Sequence, residues 1–137
     1  MTVAIYAKKY DPDSSFVEVN PIRLTAHVVF PEQGGHFDLV TAAEVLNYIG
    51  DLGPVFVAIS RSLKPGATFI GTFEILDGEE STGYRLSQTG RYEHRQDYIM
   101  SLAQKSGLHH VETKRIALRK HLDTMVEGLV ITFSRPE

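Results

Sequence analysis

Phe37-Asp38-Leu39-Val40-Thr41-Ala42 is a short apolar run with β-branched residues, introduced by Gly34-Gly35, and it reads as a buried strand. The residues after it settle the fold class. Asp51 offers an N-cap with Pro54 inside the first turn, and Leu52, Val55, Phe56, Ile59 and Leu63 recur at helical spacing. A helix is therefore expected over residues 52–63. Lys64-Pro65-Gly66 stops it, because proline cannot continue the hydrogen-bond ladder and glycine accepts a positive φ. Ala67-Thr68-Phe69-Ile70-Gly71-Thr72-Phe73 is then a second strand, apolar on both faces. Strand, helix and strand with a tight return form a βαβ unit, whose two strands should be parallel and joined by a right-handed crossover.

Downstream, residues 77–83 are polar and glycine-bearing, a surface excursion. A helix is expected over 95–106, with Tyr98, Ile99, Leu102 and Ala103 on one face and Gly107 as its C′ residue. Residues 111–119 and 128–134 read as strands of an antiparallel hairpin, with a medium loop near His121-Leu122-Asp123. Upstream the pattern is weaker. Val3, Ile5 and Tyr6 suit a helix or a strand. Phe16-Val17-Glu18-Val19 reads as a strand ended by Asn20-Pro21, and Leu24 to Phe30 is apolar without a deciding period.

The chain has 137 residues, 42% of them hydrophobic, which suits one domain with a real core. No apolar run approaches the roughly 20 residues of a membrane helix, and Lys8 and Lys9 follow rather than precede the first apolar residues, the wrong order for a signal peptide. The expected location is cytoplasmic. Fourteen basic against seventeen acidic residues give a net charge of −3, which disfavours a long nucleic-acid-binding face. There is no cysteine, so disulfides, thiolate catalysis and cysteine-ligated zinc are excluded. Among six histidines, His109 and His110 are adjacent and face opposite ways on a strand, and no H-x-x-x-H spacing occurs; no metal site is expected. Nor is there a G-x-S-x-G nucleophile elbow.

Residues 37–46 and 63–69 together are similar to the fourth strand, its loop, the next helix and the fifth strand of class I S-adenosylmethionine-dependent methyltransferases. The family form is FDLV-x-x-x-(D/E)-VL followed by L-(K/R)-PGG-x-(F/L), with Ala67 here in place of the second glycine. The block Gly83-Tyr84-Arg85-Leu86 and Thr89-Gly90-Arg91-Tyr92-Glu93-His94 resembles a subgroup of methyltransferases found behind tetratricopeptide repeats. The resemblance covers residues 37–134. It implies a Rossmann-like α/β sheet, mostly parallel with an antiparallel C-terminal hairpin, in which 128–134 lies antiparallel beside 67–73.

The resemblance also implies S-adenosylmethionine as cofactor, bound by the loop Ala43, Glu44, Val45 and Leu46 at the carboxyl end of a central strand, with Asn47 and Tyr48 following. Substrate contacts are expected from Tyr48 and Arg91. Tyr92 and His94 are the expected catalytic pair, since a histidine can move a proton near neutral pH and a tyrosine can orient a substrate. The family's glycine-rich turn after the first strand, where close backbone approach and a helix N-terminus hold the donor, has no counterpart, because no G-x-G-x-G occurs. The acidic residue that would hold the ribose is missing too. Residues 1–137 are thus expected to be a single methyltransferase-like domain whose residues 1–36 are unclear or truncated, and to bind the cofactor very weakly alone.

Two functions are open. One is a methyltransferase, or a fragment of one, acting on an unknown acceptor; the other is a non-catalytic, degenerate domain acting through protein contacts. The missing glycine-rich turn favours the second, the Glu44 loop and the Arg91-Tyr92-His94 block the first. A lost first strand would leave the edge of 37–42 open, a liability for aggregation. That edge is expected to be covered by residues 2–6, by residues 24–30, or by a second copy in a homodimer.

Overall fold

A computed structural model describes residues 5–8, 35, 37–78 and 82–137. Strand β2, Phe37–Ala42, buries Phe37, Val40 and Ala42 and leads through a 3-10 turn, Leu46–Tyr48, into helix α1, Gly53–Ser62. The helix starts one residue later than expected. Leu52 stands at its N-cap position, while the Asp51 Oδ1 accepts the Gly53 N–H at 2.9 Å and satisfies one free donor of the first turn. Phe56 and Ile59 face the sheet, and the Ser62 hydroxyl donates to the Ile59 carbonyl at 2.8 Å as the helix ends.

The next strand is longer than the sequence suggests. β3 runs Leu63–Ile75, so Lys64-Pro65-Gly66 lies within it rather than ahead of it. Proline is tolerated there because the ladder is irregular at that end: Phe37 pairs with Leu63, and the register shifts before Leu39 meets Thr68. β3 is the central strand. It pairs in parallel with β2 from Leu39–Thr68 to Ala42–Gly71, and antiparallel on its other side with β7, Thr124–Ser134, from Thr68–Ser134 to Glu74–Gly128. The placement implied for 128–134 is the one observed.

Beyond β3, the sequence reading missed a small hairpin, β4 at Tyr84–Leu86 and β5 at Tyr92–His94. Its second strand pairs in parallel with Glu74 and Ile75 at the carboxyl end of β3. Three-residue strands carry too few alternations to be read as such. Helix α2, Gln96–Lys105, is a residue shorter than expected at each end. It closes with a Schellman turn in which the Leu108 N–H reaches the Ala103 carbonyl at 2.9 Å and the Gly107 N–H reaches Gln104 at 3.0 Å. β6, His109–His121, and β7 form a longer hairpin than expected, joined by Leu122-Asp123 alone instead of a medium loop. Leu122 takes φ +53°, the positive value that two-residue hairpin loops need at their first position.

β1, Ile5–Lys8, runs antiparallel along β2, from Ile5–Ala42 to Lys8–Leu39, and covers the edge that needed covering. The strand expected at 16–19 and the apolar run 24–30 lie outside the described residues. The layers meet at Phe56, which is 0% exposed. Its ring stands edge-on to Phe69 at 5.9 Å and Phe133 at 5.8 Å, and near-parallel to Phe73 at 6.4 Å. Among the described residues no helix is long and apolar enough to cross a membrane.

Candidate active site

The carboxyl ends of β2 and β3 lie side by side, the position where ligands collect in open α/β sheets. After Ala42 the chain turns through exposed Ala43 and through Glu44, which sits at φ +56°, a backbone region that costs a non-glycine residue energy. The Thr72 hydroxyl holds this turn by accepting the Glu44 N–H at 2.8 Å. Val45 and Leu46 then drop into the core at 0% exposure, so of the four expected cofactor residues only Ala43 and Glu44 direct side chains outward.

Two residues that the sequence reading overlooked, Arg119 and Glu74, complete the cluster. Arg119 arrives from β6 and bridges two carboxylates, with Nη1 donating to the Glu44 Oε2 at 2.7 Å and Nη2 to the Glu74 Oε1. Asn47, 2% exposed, donates its Nδ2 to the same Glu44 oxygen at 3.3 Å. Glu74 ends the apolar face of β3 and is 3% exposed; burial raises its pKa above the usual 4.5, while the hydrogen bond and charge of Arg119 work the other way. Glu44 Oε1, Asn47 Oδ1 and Glu74 Oε2 find no hydrogen-bond donor among the described residues. The Arg119 Nε likewise finds no acceptor among them, so in this cluster three unmatched acceptors face one unmatched donor.

Arg119 owes its aim to a β-bulge. Ala117 pairs with Glu127 and Arg119 with Val126, so β6 carries one extra residue, Leu118, over that step. Such bulges re-aim the side chains beside them. Regular alternation from Val111 gives no sign of this, which is why Arg119 escaped the sequence reading. Glu74 had a fainter signal, an acid at the carboxyl end of an apolar strand.

Tyr48 and Arg91, the expected substrate residues, are brought together. The Arg91 Nε donates to the Tyr48 hydroxyl at 3.4 Å, and its guanidinium carbon stands 5.7 Å from the ring centroid. His94 is placed differently from a surface proton carrier. It is 0% exposed, stacks on Tyr98 at 6.2 Å, and meets Phe73 edge-on at 6.4 Å. Its Nε2 lies 2.9 Å from the Ile49 carbonyl and 3.1 Å from that of Gly50; carbonyls only accept, so Nε2 carries the proton. Tyr92 packs against Tyr84 at 6.1 Å, and Gly50 fits beneath both, since a Cβ there would sit 2.7 Å from the Tyr92 ring. The His94 and Tyr92 side chains therefore hold the segment just past the 3-10 turn. Among the described residues no three histidine or acidic side chains are grouped to hold a metal.

Burial lowers the His94 pKa below the usual 6.5, with the Gly50 and Ile49 carbonyls opposing. The unfolded chain then binds more protons than the folded one below pH 6.5. Stability from His94 is complete above that pH and is lost as pH falls toward the folded pKa, by about 1.4 kcal/mol per pH unit in that window. Urea unfolding between pH 7.5 and 5 should show this loss, and His94→Gln should flatten it. An unchanged slope in His94→Gln would remove His94 as the cause. Glu74 acts in the opposite sense at lower pH, since its raised pKa makes the folded state hold the extra proton; comparing the two chains cancels it.

A cleft of about 590 Å³ opens beside the cluster, lined among others by Glu74, Arg85, Leu86, Glu93 and Val126. The family profile described as "Methyltransferase domain" matches residues 2–71, just over half of the chain. The chain belongs to the methyltransferase domain family. Its fold agrees with a class I S-adenosylmethionine-dependent methyltransferase. A SAM-dependent methyltransferase of Methanosarcina mazei superposes with TM-score 0.62 at 16% identity, covering 81% of this chain and 64% of that one. The 1,6-didemethyltoxoflavin-N1-methyltransferase of Burkholderia thailandensis, solved with 1,6-didemethyltoxoflavin and S-adenosylhomocysteine, gives TM-score 0.62 at 17% identity over 88% of this chain and 50% of that one. The chain thus spans half to two-thirds of the length of these two solved chains. A 40-residue stretch, 28% of the chain, is 58% identical to 11% of the cysteine and histidine-rich domain-containing protein morgana of Drosophila melanogaster.

Proposed function

We propose that this methyltransferase domain transfers a methyl group from S-adenosylmethionine, with the donor lying over the carboxyl end of β2. The observation that carries the reading is the acceptor-rich cluster, in which Glu44 Oε1 and Asn47 Oδ1 have no donors among the described residues. A ligand rich in hydroxyl and N–H groups fits them, and S-adenosylmethionine is such a ligand. When bound, it supplies a methyl carbon made electrophilic by a positive sulfur. Ala43 and Glu44 contribute side chains to this half-site, and Val45 and Leu46 contribute main chain. Arg119 fixes the Glu44 carboxylate, so the acceptor oxygen is held in place before a ligand arrives. Arg91 and Tyr48 orient the acceptor. His94 and Tyr92 act as positioning residues, through the segment they hold at Ile49 and Gly50.

Calorimetry with S-adenosylhomocysteine tests the reading. Losing a hydrogen bond to a charged group costs about 1.5–3 kcal/mol, so Glu44→Ala should weaken binding roughly ten- to a hundredfold. The absence of a G-x-G-x-G turn keeps the starting affinity low, and the titration needs millimolar ligand. Unchanged affinity in Glu44→Ala removes the residue from the site. No binding by the chain at all supports the alternative, a domain that acts through protein contacts.

A further inference from the structure

We infer that the methyl acceptor is a cationic amine on an apolar stem, taken into the cleft beside the β4–β5 hairpin with its nitrogen at the Glu74 carboxylate. This rests on the methyl-transfer reading and adds the substrate class to it. Arg119 divides the polar cluster in two, with Glu44 on one guanidinium nitrogen and Glu74 on another. Glu74 is 3% exposed, lines the cleft, and keeps Oε2 without a donor among the described residues. A nearly buried carboxylate with one oxygen unmatched can take one more donor, which a ligand N–H or O–H supplies.

The rest of the cleft selects among donors. Its volume of about 590 Å³ is that of a small-molecule site. The Arg85 guanidinium is committed to the Glu93 carboxylate at 2.8 Å, so it does not welcome an anion, and Glu74 and Glu93 both repel one. Leu86, 56% exposed, and Val126 give the walls an apolar side suited to an alkyl or aryl stem. Acidity separates amine from alcohol. An alkylammonium loses its proton near pH 10.4 and water near 15.7, so only the first lies within reach of a carboxylate base. Burial raises the Glu74 pKa and narrows the gap further.

The step then balances. An N–H bond of the ammonium breaks, its electron pair stays on nitrogen, and the proton goes to the Glu74 Oε2. That pair forms the new N–CH3 bond as the S–CH3 pair departs with sulfur, leaving a thioether and a methylated amine.

The test is an NMR titration of the full chain with phenethylamine and, separately, with phenethyl alcohol, its uncharged counterpart. The amine should bind at least fivefold more tightly and shift the amides of residues 85–88, 93 and 126. It should also move the Glu74 side-chain carboxyl ¹³C signal, which the alcohol leaves in place. Glu74→Gln should erase the preference. Glu93→Gln, at the cleft wall, should reduce it and serves where Glu74→Gln fails to fold. Equal binding of amine and alcohol, or an unmoved Glu74 signal, overturns the inference. Such a result alongside S-adenosylhomocysteine binding leaves the methyl-transfer reading standing. Amine preference without S-adenosylhomocysteine binding supports the amine site and removes its catalytic setting.

Discussion

Phe56→Ala should lower the unfolding free energy by about 3–5 kcal/mol, as removal of a fully buried aromatic does. The ring is 0% exposed and lies, with Ile59, on the buried face of α1. It touches Phe69 and Phe73 of β3 and Phe133 of β7, so one truncation opens the core on both the parallel and the antiparallel side of the central strand. Phe69 and Phe133 stack on each other at 5.9 Å and cannot both lean into the gap. A small domain has about 5–15 kcal/mol in total, so the variant should be near the threshold of folding. Urea denaturation followed by circular dichroism measures it, with Phe56→Leu expected to lose less than half as much. A loss under about 1 kcal/mol would mean that α1 is not anchored through this ring.

Gly128→Ala should be nearly as damaging, at about 3 kcal/mol, for the opposite reason. The glycine has ordinary backbone angles, so the cost is one of space rather than of conformation. A Cβ there would come within 2.2 Å of the Leu118 Cδ1 and 2.5 Å of the Phe73 carbonyl oxygen. Leu118 can move its tip aside, but the β3 backbone cannot. The double change Gly128→Ala with Leu118→Ala should therefore recover only part of the loss. Full recovery would show that the backbone contact is tolerated. Gly128 stands opposite Glu74 on one side and Ile116 on the other, so the amides of Glu44 and Arg119 should shift in the NMR spectrum of any folded fraction.

Local chemistry explains what the sequence disclosed. Pro65-Gly66 after a helical run, and Gly107 after Ala103, act within a few residues of themselves, so the βαβ unit and the end of α2 were legible directly. Beside them, the pairing of β7 with β3 joins residues about sixty positions apart, and it came only through the family resemblance. The site was legible in halves. Glu44 and the Tyr48–Arg91 contact follow from loops at strand ends. Arg119 and Asn47 do not, because one depends on a bulge and the other on a buried turn whose polar residue looks like loop filler. The burial of His94 was not legible either: its sequence neighbours are tyrosine, glutamate and arginine, whereas the rings of Phe73, Tyr84 and Tyr98 enclose it.

Leu118, the extra residue just before Arg119, makes the hairpin a reading frame. One residue inserted between Val126 and Glu127 would give Leu118 a partner, close the bulge, and turn Arg119 and the residues after it to the opposite face. The guanidinium would then point away from both carboxylates although no residue of the core had changed. Edge hairpins are ordinarily where a lineage can gain or lose length without penalty. In this domain the outermost strand is indexed to the innermost, and a change in parity at the periphery would be inherited as a change at the carboxyl ends of β2 and β3.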